Sequence, residues 1–179
     1  MAGFEFKLEV NAPIEVMWSV MTNHERWSDW MPSSKVVLDP EGSPERNGMG
    51  AVRNFMTGKI VVAREEVIGW EPPGCSEEEK LGEKVDEKMG EKTAGASGDA
   101  SMTYCLLSQK LMKNYKSTMT LTADTAESCT LIWKSKWESV LPPKAGGNIT
   151  QSQIKKMLYN TAVKMAADAD AEGRAGRPV

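Results

Sequence analysis

The sequence of 179 residues is poor in the residues that build metal sites, disulfide networks and histidine-dependent active sites. It has one histidine, His24, and three cysteines, Cys75, Cys105 and Cys129. An odd number of widely spaced cysteines provides neither a disulfide framework nor a zinc site, so we expect reduced thiols. His24 falls in a predicted turn with no implied hydrogen-bonding partner, and we expect it at the surface. The sequence therefore indicates no catalytic triad, no metal and no cofactor.

Long hydrophobic runs and an excess of basic charge are also missing. No apolar run reaches the length of about 18 residues that a transmembrane helix needs. The first residues lack the basic and then apolar pattern of a signal peptide. The 22 basic residues are outnumbered by 25 acidic ones, whereas nucleic-acid binders cluster Lys and Arg against phosphates. We therefore expect a cytoplasmic protein with no nucleic-acid partner and no stable insertion in a membrane.

The residues that are present suit a single folded domain over residues 1–179. Apolar residues make up 40% of the chain, which is enough for a hydrophobic core. Alternation with period two predicts a first strand at residues 4–10. Pro13 then suits the first turn of a helix, and the capping-box spacing of Thr22 and Glu25 predicts a second short helix over residues 24–27.

Strands dominate the middle of the chain. Alternation and turn signals predict six further strands, at residues 35–39, 51–56, 59–70, 101–109, 115–123 and 129–140. The last of these has one apolar and one polar face, which indicates an antiparallel sheet covered on one side only. A long helix is predicted from Thr150 to about Ala171, followed by a frayed tail at 173–179. Strands and helices segregate in this order, as is typical of an α+β fold.

Residues 75–99 differ in composition from the rest of the chain. They carry eight acidic and four basic side chains, and a Glu-Lys pair recurs every four residues. Charge runs are usually solvated surface, so we interpret this segment as a mobile, solvated insertion within the domain. The alternative is a docked lid or a helix that binds a protein partner, because Leu81, Val85 and Met89 form a thin apolar seam at nearly helical spacing.

Five short motifs in this order resemble those of one known superfamily. They are APIEVMW at residues 12–18, NHERWSDWMP at 23–32, GMGAVR at 48–53, EEVIGWEPP at 65–73 and TLIW at 130–133. The sequence resembles the polyketide cyclase/dehydrase and lipid-transport superfamily, the START-like group also called SRPBCC. The resemblance covers about 145 residues, which is everything except the insertion and the tail.

The resemblance implies a helix-grip fold with an internal cavity. In that fold a curved antiparallel sheet of about seven strands wraps around a long C-terminal helix, and two short helices follow the first strand. Members bind lipids, sterols, polyketides or other hydrophobic molecules, and some cyclise or dehydrate them. The implied function is therefore that of a carrier or sensor of a small hydrophobic ligand. The alternative is a cyclase or dehydratase that uses Arg53, Glu66 or a tyrosine as acid or base, and the sequence does not decide whether the protein is an enzyme.

Bulky and polar residues on the predicted inner surfaces are the candidates for ligand contact. They are Trp30, Arg53, Phe55, Glu66, Tyr104, Tyr115, Met119, Trp133, Trp137, Met157 and Thr161. Each Met and Trp is equally consistent with ordinary core packing.

The direction of the charged residues stays open at this stage. Arg53 shares a face with Ala51 and Phe55, so it points either into the cavity or to solvent. Alternation likewise places Arg64 and Glu66 on one face of their strand and Glu65 on the other. A charged pair on the inner face would be a buried ion pair and a candidate for chemistry.

Overall fold

The computed structural model describes residues 2–33, 35–74, 99–107, 112–139 and 147–176. Residues 75–98 lie outside this part, so the predicted insertion is represented only by Asp99. Both interpretations of that segment, as a solvated loop or as a partner-binding helix, stay predictions.

The described strands form one antiparallel sheet. Their bounds are β1 Ala2–Val10, β2 Lys35–Leu38, β3 Val52–Thr57, β4 Ile60–Glu71, β5 Ala100–Leu106, β6 Met112–Thr125 and β7 Ser128–Ser139. The sheet has seven strands in the order β1-β7-β6-β5-β4-β3-β2. Apart from the pairing of β1 with β7, neighbours in the sheet are consecutive in sequence, which short connections favour.

β-Bulges interrupt several of the strand pairs. Register shifts occur between Phe55 and Met56, between Val67 and Gly69, and between Lys113 and Lys116. A bulge inserts one extra residue and bends its strand. The sheet can therefore curve, and bulges also change which side chains point inward.

Helices lie at the start of the chain and at its end. The first, α1 (Ile14–Thr22), follows Pro13, whose carbonyl accepts hydrogen bonds from Val16 and Met17. A 3₁₀ turn at His24–Arg26 and the single-turn helix α2 (Trp27–Trp30) replace the predicted short helix over 24–27. The long helix α3 (Gly147–Ala175) contacts β1, α1 and α2.

The long helix continues beyond the predicted end near Ala171. Gly173, which was assigned to the frayed tail, is instead buried inside α3. A Cβ atom at this position would lie 3.4 Å from the Cβ of Ala12, so the glycine allows the helix to approach the chain before α1 closely. The element order and the long C-terminal helix agree with the predicted α+β, helix-grip architecture.

Candidate functional site

A cavity of about 500 Å³ lies between the sheet and the N-terminal half of α3. The strands contribute the apolar residues Val61, Val62, Ala63, Leu106 and Met112 to its wall. The helical side contributes Met31, Ile154, Met157 and Leu158. The polar contribution comes from Arg64, Glu65 and Tyr115. A volume in this range and a mainly apolar wall with a few polar groups are typical of small-molecule sites.

The hairpin of β3 and β4 places an ion pair on the inner face of the sheet. Arg53 and Glu65 are directly opposite in the strand register, and Arg53 Nε donates a hydrogen bond of 2.8 Å to Glu65 Oε2. The side chain of Arg53 is fully buried and that of Glu65 is 12% exposed. Opposite charges in a directly opposed pair stabilise a sheet, and an unpaired buried charge would be costly.

The guanidinium group of Arg53 is enclosed by aromatic rings. Its Cζ atom lies 3.8 Å from the ring centroid of Trp27 and 4.0 Å from that of Tyr104. A cation close to ring faces gains electrostatic stabilisation, most of all where water is excluded. Its terminal nitrogens Nη1 and Nη2 have no hydrogen-bond partner among the described residues.

Hydroxyl groups continue the polar row across the sheet. Tyr104 is paired with Ser117, and Ser117 is paired with Ser135 on the next strand. The hydroxyl oxygens of Ser117 and Ser135 are 2.7 Å apart, and Trp133 Nε1 donates a bond of 2.8 Å to Ser117. The hydroxyl of Tyr115 lies 3.4 Å from that of Ser135. These groups satisfy one another inside an otherwise apolar core, as buried polar atoms must.

Burial shifts the protonation equilibria of this row. It raises the pKa of Glu65, and the charge and hydrogen bond of Arg53 counteract that rise. It also raises the pKa values of Tyr104 and Tyr115, and nearby Glu65 raises both further. Both phenols therefore stay protonated at neutral pH. The carboxyl group of Glu65 releases its proton less readily than an exposed carboxyl group does.

His24 is buried, and the prediction of a surface histidine is wrong. Its ring is fully inaccessible, and Nε2 lies 2.9 Å from the carbonyl oxygen of Asn47. Burial, followed by the charge of Arg53, lowers the pKa of His24 to about 3. The ring is therefore neutral at physiological pH, and its Nδ1 atom has no partner among the described residues.

The structure divides the predicted ligand-contact residues into three groups. Tyr115 and Met157 line the cavity. The second group is buried in the core and absent from the cavity wall, and comprises Trp30, Arg53, Phe55, Tyr104, Met119, Trp133, Trp137 and Thr161. Glu66 forms the third group, because it is half-buried on the opposite face of β4 from Glu65. Glu65 rather than Glu66 is thus the acidic residue in the cavity wall.

Sequence reasoning did not single out Glu65 or Trp27 for the site. Alternation placed Glu65 beside Ala63 and Val67 and opposite Glu66 without deciding which face is inner. Trp27 stands in a short helix with too few residues to show a periodic face, so its stacking on Arg53 has no local sequence signal. On α3, the cavity-lining residues Ile154, Met157 and Leu158 follow one another at spacings that place them on one face of the helix.

The chemistry available at this site is that of carboxyl, phenol and guanidinium groups. Within residues 2–33, 35–74, 99–107, 112–139 and 147–176, no cluster of His, Cys, Asp and Glu side chains is arranged to hold a metal ion. Across the same ranges, no helix has both the length and the apolar character to span a bilayer. The arrangement can bury an apolar molecule and hydrogen-bond to it at Glu65 or Tyr115.

Comparison with known proteins begins with a family model. The model described as polyketide cyclase / dehydrase and lipid transport matches residues 1–77, which hold β1 to β4 and Glu65. None of the curated proteins is similar enough in sequence to match.

Solved structures match over nearly the whole chain. A START superfamily protein from Mycobacterium smegmatis has a TM-score of 0.63 at 12% identity, and the alignment covers 96% of this chain and 99% of that chain. The chain has the START-like fold. The resemblance indicated by the five motifs is therefore confirmed at the level of fold.

Two enzymes of biosynthesis share the START-like fold. The di-domain ARO/CYC StfQ from the steffimycin biosynthetic pathway has a TM-score of 0.57 at 13% identity, with 98% of this chain and 52% of that chain covered. A point mutant of norcoclaurine synthase from Thalictrum flavum, in complex with a transition state analogue, has a TM-score of 0.55 at 13% identity, with 93% and 92% covered.

Proposed function

We propose that this protein binds a small hydrophobic molecule, such as a lipid or a polyketide, in the cavity between the sheet and α3, as a carrier or sensor. The observation that carries the proposal is the cavity of about 500 Å³ with a mainly apolar wall. The description of the matching family, which includes lipid transport, supports the same class of ligand.

The residues of the cavity wall suit ligands of more than one shape. Met31, Met112 and Met157 contribute flexible side chains that adapt to ligands of different shape. Each apolar group that leaves water for this wall contributes roughly 25 cal/mol per Å² of buried surface. A molecule that fills the cavity therefore gains affinity from the apolar surface that it buries, and polar groups are needed only to orient it.

A second candidate function is proton-transfer catalysis, as in a cyclase or dehydratase. The observation in its favour is Glu65, a carboxyl group in the cavity wall whose pKa is raised by burial. A carboxyl group tuned toward neutral pH is suited to act as a general base or acid. Glu65 takes the place that the sequence analysis gave to Glu66, and Tyr115 is the phenol in the same wall.

Native mass spectrometry of the gently purified protein tests the binding proposal. We expect a stoichiometric apolar adduct that solvent extraction releases for identification. Ala63→Trp should remove this adduct, because the added ring fills the space that Ala63 borders.

Ile68→Trp is the matched control for the cavity-filling variant. Ile68 lies on the same strand but is exposed and absent from the cavity wall, so this variant should retain the adduct. An adduct that persists in Ala63→Trp would place the ligand elsewhere and contradict the proposal. A wild-type protein that is empty when isolated and that converts a supplied polyketide substrate would favour the enzyme instead.

A further inference from the structure

Among the polar residues of the cavity wall, Glu65 is the one that is both buried and acidic. Glu65 lies in the cavity wall, and its Oε2 atom accepts the hydrogen bond from Arg53. In the described part of the chain, no second hydrogen bond is made to the carboxylate of Glu65, so its other oxygen, Oε1, is available as an acceptor. A carboxylate oxygen that is desolvated in an apolar wall costs free energy unless it accepts a hydrogen bond, so a ligand that donates one there is favoured.

The side chain of Arg53 does not line the ligand space. Arg53 is fully buried, is absent from the cavity wall and lies between the rings of Trp27 and Tyr104. A ligand in the cavity therefore meets the acceptor side of the ion pair and not the donor side.

Charge balance distinguishes the classes of ligand. The Arg53–Glu65 pair is neutral as a unit, so a ligand carboxylate would face Glu65 and add an unpaired negative charge in a medium of low dielectric constant. A ligand ammonium group would meet an attractive carboxylate but would bury a net positive charge, because Arg53 already balances Glu65. A neutral hydroxyl group donates to the available oxygen and adds no charge.

Arg64 is the other charged residue of the wall, and it lies at the exposed edge of the cavity. Its Nε atom donates a hydrogen bond of 2.9 Å to Asn54 Oδ1. Exposed charges are screened by water and salt, so Arg64 attracts an acid more weakly than Glu65 repels one inside the cavity.

We propose that the cavity selects neutral ligands whose apolar body carries a hydrogen-bond donor, an alcohol or a phenol, and that it rejects carboxylic acids. Glu65 is the residue that determines this specificity, and Arg53 is a positioning residue that holds its carboxylate. The inference rests on the proposed function, because it assigns the ligand class of the same cavity.

A set of naphthalene derivatives with one common apolar body tests the proposal. Equilibrium dialysis at about pH 7 would compare naphthylmethanol, its methyl ether, methylnaphthalene, naphthoate and naphthylmethylammonium, of which only the last two are charged at that pH. We expect the alcohol to bind about tenfold more tightly than the ether or the hydrocarbon, as a hydrogen bond to a charged acceptor allows. Naphthoate should bind most weakly of the set.

Glu65→Gln supplies the matched variant, and Glu66→Gln on the opposite face is its control. Loss of the carboxylate leaves the charge of Arg53 uncompensated, so naphthoate should bind at least tenfold more tightly to Glu65→Gln than to the wild type. Glu66→Gln should leave all five affinities unchanged. If Glu65→Gln does not fold, the five affinities of the wild type still test the proposal.

Three results would overturn the inference. Equal affinities for alcohol and hydrocarbon would show that no donor is recognised, while the cavity would still be a binding site. Tightest binding of naphthoate, abolished by Arg64→Gln, would place the polar end of the ligand at the cavity edge. Failure of every probe to bind would overturn the inference together with the proposed binding function.

Discussion

His24 shows how strongly the interior of this protein constrains a single ionisable side chain. Its pKa is lowered from 6.5 to about 3, first by burial and then by the charges of Arg53 and, to a smaller extent, Arg46. The hydrogen bond with the carbonyl of Asn47 opposes this shift without cancelling it. The folded protein therefore holds a neutral ring at a pH where the unfolded chain would protonate it, and folding is linked to pH.

Replacing His24 by Gln should flatten the acid dependence of stability. A histidine with a lowered pKa contributes stability that is present above pH 6.5 and is lost as the pH falls toward about 3, at about 1.4 kcal/mol per pH unit. Urea unfolding at pH 7 and pH 5 should show the wild type losing about 2 kcal/mol more than His24→Gln between these two conditions. The raised pKa of Glu65 acts in the opposite direction but is common to both proteins. Equal losses would mean that the ring is accessible to water.

At the scale of elements, one residue of α3 connects two segments that precede β2. Asp168 Oδ2 accepts a hydrogen bond of 2.9 Å from Trp30 Nε1 and another of 3.1 Å from Arg26 Nη2. Glu172, one turn further along α3, accepts a bond of 2.6 Å from Arg26 Nη1. The contacts hold α2 against α3, and Met31 follows α2 directly into the cavity wall.

Asp168→Ala should therefore lower the free energy of unfolding more than Glu172→Ala does, although both variants remove a carboxylate from Arg26. Asp168→Ala also removes the acceptor of the buried Trp30 side chain, which should lower the free energy of unfolding by about 1–2 kcal/mol. Glu172→Ala removes only a half-exposed ion pair and should cost less than about 0.5 kcal/mol. Urea unfolding of both variants measures the difference. Equal costs would indicate that the bond to Trp30 adds nothing to the ion pairs.

The β3–β4 hairpin shows where prediction from the sequence reached its limit. Alternation located both strands, but it could not align them, because a bulge between Phe55 and Met56 shifts the register by one residue. Continued from the pairing of Thr57 with Ile60, an unbulged hairpin would place Arg53 opposite Arg64 rather than Glu65. Whether Arg53 faces a like or an opposite charge therefore depends on one inserted residue. No local sequence pattern predicts the bulge that inserts it.

At the scale of the whole molecule, the order of elements was predictable because it follows from local periodicity. The seven strands and the long C-terminal helix each have an apolar face of the expected period, and their positions agree within a few residues. The cavity was predicted only through the resemblance to a superfamily. Its shape depends on the curvature of the sheet and on the distance between distant elements, which no single segment encodes.

Deletion of residues 75–98 should leave the fold intact. The strands that flank this segment are antiparallel neighbours, with Glu71 paired to Ser101 and a hydrogen bond of 2.9 Å between their side chains. Joining Gly74 to Asp99 leaves a short loop between adjacent strand ends, and changes of loop length cost little free energy. Thermal unfolding followed by circular dichroism should give a midpoint within about 4 °C of the wild type. A fall of more than about 8 °C would mean that the segment packs on the body of the protein.

The order of the strands makes β1 and β2 the two edge strands of the sheet. An exposed strand edge can recruit the edge of another copy, which is a route to aggregation. One edge strand here, β2, has only four residues. At the other edge, α3 lies against β1, and Gln151 Nε2 donates a hydrogen bond of 2.6 Å to the carbonyl oxygen of Gly3. The helix that borders the cavity therefore also protects the longer edge, so that a variant with a loosened α3 would risk insolubility as well as loss of ligand.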